Sequence, residues 1–301
     1  VKQFLEPDDV VWVHDYQLML LPALIKNHQP DAQVGFFLHI PFPSYELFRL
    51  LPWREDILRG LLGADLIGFH TYDYARHFLS SVRRLLGYDH DLASVRYENR
   101  LVRVDVFPMG IDYVKYANAT ELPEVKKQVE EVRADRPAEK LILSVDRLDY
   151  TKGIPVRLRA YERFLEKYSG YAGKVSMVII VAPSRTAVPQ YQELKREVDE
   201  LVSIINGRFS TISWTPIHYF FRTFPFEHLS ALYSEADVLL VTAIRDGMNL
   251  IAKEFIAAKG DRPGVIVVSE TAGVARELSE AIVVNPSSVE DIADGLAEAL
   301  E

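Results

Sequence analysis

Two carboxylates bracket a glycine turn in residues 238–258, VLLVTAIRDGMNLIAKEFIAA: Asp246 stands directly before Gly247, and Glu254 follows eight residues after Asp246. The run Val238, Leu239, Leu240 and Val241 is continuously apolar, which suits a strand buried on both faces. Residues 249–258 carry Leu250, Ile251, Phe255 and Ile256 among good helix formers, so they read as a helix. A helix N-terminus would then be aimed at the carboxyl edge of a parallel sheet. The free N–H groups there, on Gly247, Met248, Asn249 and Leu250, suit an anion such as phosphate. Asp246 at the mouth and Glu254 about one turn into the helix could accept from hydroxyls, the combination a sugar nucleotide needs. An ordinary βα unit with an acidic helix cap is the competing reading.

Further polar groups fall where other strands end. Arg147 and Lys152 share one short loop, DRLDYTKG, and could converge on a diphosphate, the one as a planar fork and the other as a mobile point charge. A solvated loop paired to Asp146 and Asp149 remains the alternative. Arg185 follows a strand and a rigid Ala-Pro pair, as an anion contact or a surface arginine. His39 could meet a sugar hydroxyl or fill a core position; Asp15 could accept from hydroxyls or hold His14. His14 to His39 has no convincing metal-ligand spacing. No Ser-His-Asp order, GxGxxG or phosphate-binding P-loop is present. Asp246 and Glu254 do not form a hydrolase pair, because one of them lies along the helix. What remains is group transfer in which cations and a helix N-terminus take up charge developing on a diphosphate.

The elements that must position these groups alternate. Short strands are expected at 8–14, 34–39, 66–69, 141–145, 174–181, 211–214, 238–241, 265–268 and 281–284. Helices are expected at 18–27 around Pro22, at 45–50 capped by Ser44, and at 55–62, 72–86, 121–136, 154–168, 191–206, 226–234, 249–258 and 289–299. Residues 88–106 are expected to hold a hairpin, and residues 1–7 the tail of a preceding helix. Such alternation implies parallel sheets with right-handed crossovers, hence an α/β fold of two doubly wound Rossmann-like domains, residues 1–120 and 121–301, the first incomplete. In such sheets ligands sit outside the strands' carboxyl ends.

Composition narrows the classes. At 49% hydrophobic and 26% charged residues the 301-residue chain is globular. A formal charge of −9 argues against nonspecific nucleic-acid binding. No apolar run approaches the about 20 residues of a membrane span. The absence of cysteine excludes disulfides and thiolate metal sites and suits the cytoplasm.

Longer motifs carry a resemblance. HDYQLMLLP (14–22), HIPFPSYELFRLLPWR (39–54), GADLIGFHTYDYARHF (63–78), FPMGID (107–112), SVDRLDYTKGI (144–154), APSR (182–185) and RDGMNLIAKEF (245–255) resemble the trehalose-6-phosphate synthases, retaining glycosyltransferases of family 20 with the GT-B fold. The resemblance runs from about residue 8 to 286. It implies two domains facing a cleft and transfer of glucose from UDP-glucose, or a related nucleotide-glucose, to glucose 6-phosphate. It implies that Arg147 and Lys152 hold the donor diphosphate with the Met248, Asn249 and Leu250 amides. Glu254 would then bind the ribose, His39 and Asp246 the donor glucose, Asp15 the acceptor sugar and Arg185 its phosphate. No metal or cofactor is implied, and retention is explained by front-face attack within an ion pair, without a protein nucleophile. The family's N-terminal glycine-rich loop and acceptor-phosphate residues are absent from the sequence, as is its C-terminal helix. A homo-oligomer is compatible with the sequence. Two alternatives stay open: a family relative with another phosphorylated acceptor, and a non-catalytic sugar-phosphate sensor.

Overall fold

The structure, a computed structural model, describes residues 5, 6, 8–134 and 138–301. The expected helix tail at 1–7 and the last two residues of the expected helix at 121–136 lie outside the described residues, apart from Leu5 and Glu6. The chain divides between Met109 and Gly110 into two compact units.

The first unit contains β1 (Val10–His14), α1 (Leu21–His28), β2 (Gln33–Phe37), α2 (Tyr45–Phe48), α3 (Arg54–Leu61), β3 (Leu66–Phe69), α4 (Tyr72–Leu86), β4 (His90–Asp91), β5 (Ser94–Tyr97) and β6 (Arg100–Val106). Its sheet runs β1-β2-β3-β6-β5-β4. The first four strands are parallel, and β5 and β4 are added antiparallel. The expected hairpin is β5–β6, closed by Glu98 and Asn99 between the paired Tyr97 and Arg100. The helix α4 forms where the sequence signals it. Thr71 caps its first turn by accepting from the Tyr74 amide, Gly87 ends it in the left-handed region, and Ala75, Phe78, Leu79 and Val82 form its buried stripe. Two expectations are corrected. The helix around Pro22 begins only at Leu21, after a 3-10 turn at Tyr16–Leu18, so Pro22 occupies the first turn, where a missing N–H costs nothing. Ser44 precedes α2 but makes no side-chain cap; its carbonyl accepts from Leu47 and Phe48.

The second unit contains α5 (Tyr113–Ala117), α6 (Pro123–Ala134), β7 (Lys140–Arg147), α7 (Ile154–Lys167), β8 (Val175–Ala182), α8 (Pro189–Phe209), β9 (Ile217–Phe220), α9 (Phe226–Glu235), β10 (Val238–Val241), α10 (Leu250–Lys259), β11 (Val265–Ser269), β12 (Ile282–Val284) and α11 (Val289–Leu300). All of its pairings are parallel, in the order β12-β11-β10-β7-β8-β9. One face of the sheet, with Ile142, Ile179 and Leu240, packs on α7, α8 and α11. The other face, with Leu143, Ile180 and Leu239, packs on α9 and α10. Covered on both sides, the strands are largely apolar, and β10 has all four residues apolar and buried.

A strand expected at 211–214 is replaced by β9 six residues later. Trp214 is instead a buried anchor, its indole N–H donating to Ser176 Oγ at 2.9 Å, while Ile212 is fully exposed. The unit boundary also falls earlier than the expected 120/121, because α5 belongs to the second unit: Tyr116 packs edge-on against Phe226 at 5.4 Å.

Candidate functional site

Counted in chain order, the second sheet reads 3-2-1-4-5-6. The chain winds outward from β7 to β9 and then returns to place β10 on β7's other side. The connections leaving β7 and β10 diverge, and this switch point is where open α/β sheets bind ligands. After β7, Asp149 caps a 3-10 turn at Tyr150–Lys152, accepting from the Thr151 amide at 2.9 Å and the Thr151 hydroxyl at 2.8 Å. Gly153 then takes φ 65°, and a Cβ there would lie 2.6 Å from the Thr242 carbonyl beyond β10. The Arg245 amide donates to the Thr151 carbonyl at 3.2 Å. The two loops are thus stitched together across the switch point.

Lys152 Nζ lies 2.6 Å from Asp246 Oδ2 and 4.0 Å from Asp146 Oδ1, with both aspartates largely shielded from solvent. Asp246 also accepts from Asn249 Nδ2 at 3.0 Å, and Asn249 Oδ1 accepts from the Ala252 amide at 3.2 Å. Asn249, at φ 74°, is therefore the N-cap of α10, which starts at Leu250. Gly247 and Met248 precede the helix and lie buried. Their stretch is fixed from the segment after β11: Gly273 N–H donates to the Asp246 carbonyl at 3.1 Å, and Val274 N–H to the Met248 carbonyl at 2.7 Å. Of the expected amide seat, Asn249 and Leu250 stand at the helix N-terminus, and Gly247 and Met248 form the approach to it. Burial pushes the Asp146 carboxyl up against the opposing pull of Arg157 and Lys152.

Glu254, one turn into α10, accepts from the Tyr233 hydroxyl at 3.0 Å and also from Tyr116. Burial raises both phenols, Tyr116 to about 12, so both stay protonated and act as donors. Arg147 is exposed at the end of β7. Arg185, at φ 48°, donates to the Tyr191 hydroxyl at 2.8 Å, and that hydroxyl donates to Asp149 Oδ2 at 3.3 Å. The structure therefore links the loops after β7 and β8 through Tyr191.

In the first unit, the ends of β1, β2 and β3 gather His14, Asp15, His39 and His70. Asp15, at φ 68°, donates its amide to the Phe37 carbonyl at 2.8 Å and accepts from the His39 amide at 3.3 Å. His14 Nδ1 and His39 Nε2 are 3.0 Å apart, so one ring donates to the other. The His39 and His70 rings stand edge to face at 5.8 Å. Burial lowers the His39 pKa; Asp15 pulls the other way. His39 and Asp15 are thus held together, as sequence placement at strand ends suggests.

Sequence reasoning passed over Arg157, Tyr116, Tyr233, Tyr191 and Gly273. Arg157 had a legible signal: it interrupts the buried stripe Ile154, Leu158 and Tyr161 of α7 at helical spacing, where a charge needs a specific partner. Tyr116 and Tyr233 had none, since they come from α5 and α9 and meet Glu254 only in the fold.

A parallel sheet in this order, with an ion-paired lysine and a capped helix N-terminus at its switch point, defines a Rossmann-like ligand-binding protein. The model of glycosyltransferase family 20 matches residues 1–301, and the chain belongs to that family. It is 47% identical over 300 residues to the UDP-forming alpha,alpha-trehalose-phosphate synthase A of Dictyostelium discoideum, matching 100% of this chain and 41% of that protein. Among solved structures, the UDP-forming synthase of Burkholderia xenovorans in complex with glucose-6-phosphate matches with TM-score 0.95 and 36% identity, over 100% of this chain and 67% of that one. A trehalose-6-phosphate protein of E. coli bound with UDP-2-fluoro glucose matches with TM-score 0.94 and 36% identity, over 99% and 67%. The fold is the GT-B class, and the chain spans about two fifths of the curated relative's length.

Proposed function

We propose that the protein carrying this chain transfers glucose from UDP-glucose to glucose 6-phosphate with retention, forming trehalose 6-phosphate and UDP. The observation that carries the reading is the Lys152–Asp246 pair at the N-terminus of α10, at the switch point of a family 20 sheet. The relatives are named for UDP-forming trehalose-phosphate synthesis, and two similar structures hold glucose-6-phosphate and a UDP-glucose analogue, which supports both substrates.

In this reading the bond from the glucose anomeric carbon to the β-phosphate oxygen breaks, and its electron pair goes to UDP. Arg147, Lys152 and the amides of Met248, Asn249 and Leu250 at the α10 N-terminus, with Gly247 in the turn before them, meet the charge that develops there. The acceptor hydroxyl attacks the same face, and its proton passes to the departing phosphate oxygen. Asp246 and His39 contact the donor glucose, Glu254 the ribose, Asp15 the acceptor sugar and Arg185 its phosphate. Glu254 is suited to a ribose because Tyr233 and Tyr116 already orient its carboxylate. The positive charge is supplied by side chains and amides, so the proposal calls on no metal and no cofactor. The cysteine-free composition suits the cytoplasm as the proposed location, and among the described residues no helix is long and apolar enough to cross a membrane.

The test is UDP release by the full-length protein with and without glucose 6-phosphate, followed by product identification. Release that depends on glucose 6-phosphate, with trehalose 6-phosphate as product, is expected. UDP-glucose binding without turnover would instead make the protein a sensor, and turnover with only another phosphorylated acceptor would change the substrate.

A further inference from the structure

We propose that Arg157 is a positioning residue for Lys152, occupying Asp146 so that the Lys152 ammonium stays with Asp246 at the mouth of the α10 turn. The inference rests on the reading of Lys152 as a diphosphate contact. Arg157 is wholly buried, yet each end of its guanidinium has a partner. Nη1 donates to Asp146 Oδ2 at 2.6 Å and to Ser144 Oγ, Nε to Thr242 Oγ1 at 2.9 Å, and Nη2 to the Lys152 carbonyl at 3.0 Å. One side chain therefore joins β7, the segment leaving β10, and the backbone of Lys152 itself.

Charge sign alternates along the line that results. Arg157 pairs with Asp146, Asp146 stands 4.0 Å from Lys152, Lys152 pairs with Asp246 at 2.6 Å, and Asp246 accepts from the residue capping α10. Asp146 and Asp246 are thus rivals for one ammonium. Asp146 is the more deeply buried of the two, with 4% of its side chain exposed against 15% for Asp246. A buried carboxylate left uncompensated, as long as it stays ionised, attracts the nearest remaining cation. Without Arg157 that cation is Lys152, which would be drawn inward and away from a ligand phosphate. Asp146 itself need not touch the ligand; its effect is exerted through the lysine.

The experiment is titration of UDP into the full-length protein by calorimetry, with thermal unfolding recorded on each variant. Arg157→Met is expected to weaken UDP binding about tenfold or more, the scale of a charge-assisted contact. The double variant Arg157→Met with Asp146→Asn removes both charges and is expected to regain affinity to within about threefold of wild type. A merely structural arginine would instead lower the melting temperature of Arg157→Met and leave the affinity of the folded protein for UDP unchanged. Wild-type affinity in Arg157→Met, or a folded double variant as weak as the single one, would overturn the proposal. If Arg157→Met does not fold, the double variant alone decides it, since tenfold loss in a folded double variant has the same consequence. Failure of the wild-type protein to bind UDP would remove the functional reading as well, whereas equal binding by all variants removes only the role of Arg157.

Discussion

Lys152 shows how much a single side chain can be constrained before any ligand enters. Its ammonium has a partner in Asp246 and a second carboxylate 4.0 Å away, yet 15% of the side chain still meets solvent. A phosphate oxygen would add a partner to a group already desolvated, the setting in which a charge-assisted hydrogen bond counts most. Lys152→Ala should lower turnover about ten- to a hundredfold, corresponding to roughly 1.5–3 kcal/mol, measured as kcat/KM for UDP-glucose. An unchanged value would remove Lys152 from the site. His39 makes a different prediction. Burial holds its folded pKa below 6.5, so the unfolded chain takes up its proton first as pH falls. Stability from this residue is fully present above about pH 6.5 and declines as pH drops through that value toward the folded pKa. Urea unfolding of wild type against His39→Gln between pH 5 and 8 should show the acid-side slope reduced in the variant; identical slopes would mean that His39 is not the group responsible.

At the scale of elements, the turn between β10 and α10 is held from outside as well as by its own Asp246–Asn249 contact. The segment after β11 supplies the amides of Gly273 and Val274 to the Asp246 and Met248 carbonyls, and a Cβ on Gly273 would stand 2.0 Å from the Gly247 carbonyl oxygen. Backbone meets backbone there, so nothing flexible can give way. Gly273→Ala should destabilise the protein by about 1–3 kcal/mol and push the turn outward, weakening UDP binding together with thermal stability. A variant with a lower melting temperature but unaltered UDP affinity would show that the turn's position does not matter to the ligand. Strands and helices with strong local signals were legible in the sequence: the all-apolar β10, the capped and glycine-terminated α4, and the hairpin β5–β6. Those decided by tertiary packing were not. β9 was displaced from 211–214 because Trp214 is anchored through Ser176, and the α1 boundary moved because Pro22 fits only a first turn. The same division holds within the site. Asp246, Lys152 and Asn249 sit at strand and helix ends, where pattern reading looks, whereas Arg157, Tyr116 and Tyr233 act from within packed helices.

For the whole molecule, the second unit is a compact unit with its own sheet and its own two cores. Its six parallel strands are covered on both faces, by α7, α8 and α11 on one side and α9 and α10 on the other. The boundary at Met109 and Gly110 matters here, because α5 lies after it and brings Tyr116 onto Glu254. A cut at the boundary read from sequence, after residue 120, would remove that hydroxyl and leave the Glu254 carboxylate with Tyr233 alone. All residues proposed for the diphosphate and ribose, from Arg147 to Glu254, lie within residues 110–301, whereas Asp15 and His39 do not. A protein of residues 110–301 should therefore unfold cooperatively and bind UDP, but should not release UDP from UDP-glucose in response to glucose 6-phosphate. A protein of residues 121–301 should bind UDP less tightly, by up to about tenfold if the Tyr116 contact is lost and nothing replaces it. Calorimetric titration of both proteins with UDP, alongside their thermal unfolding, checks this. If residues 110–301 fold but do not bind UDP, the nucleotide seat cannot belong to this unit alone, and the assignment of Lys152, the α10 amides and Glu254 as a self-sufficient donor site would have to be given up.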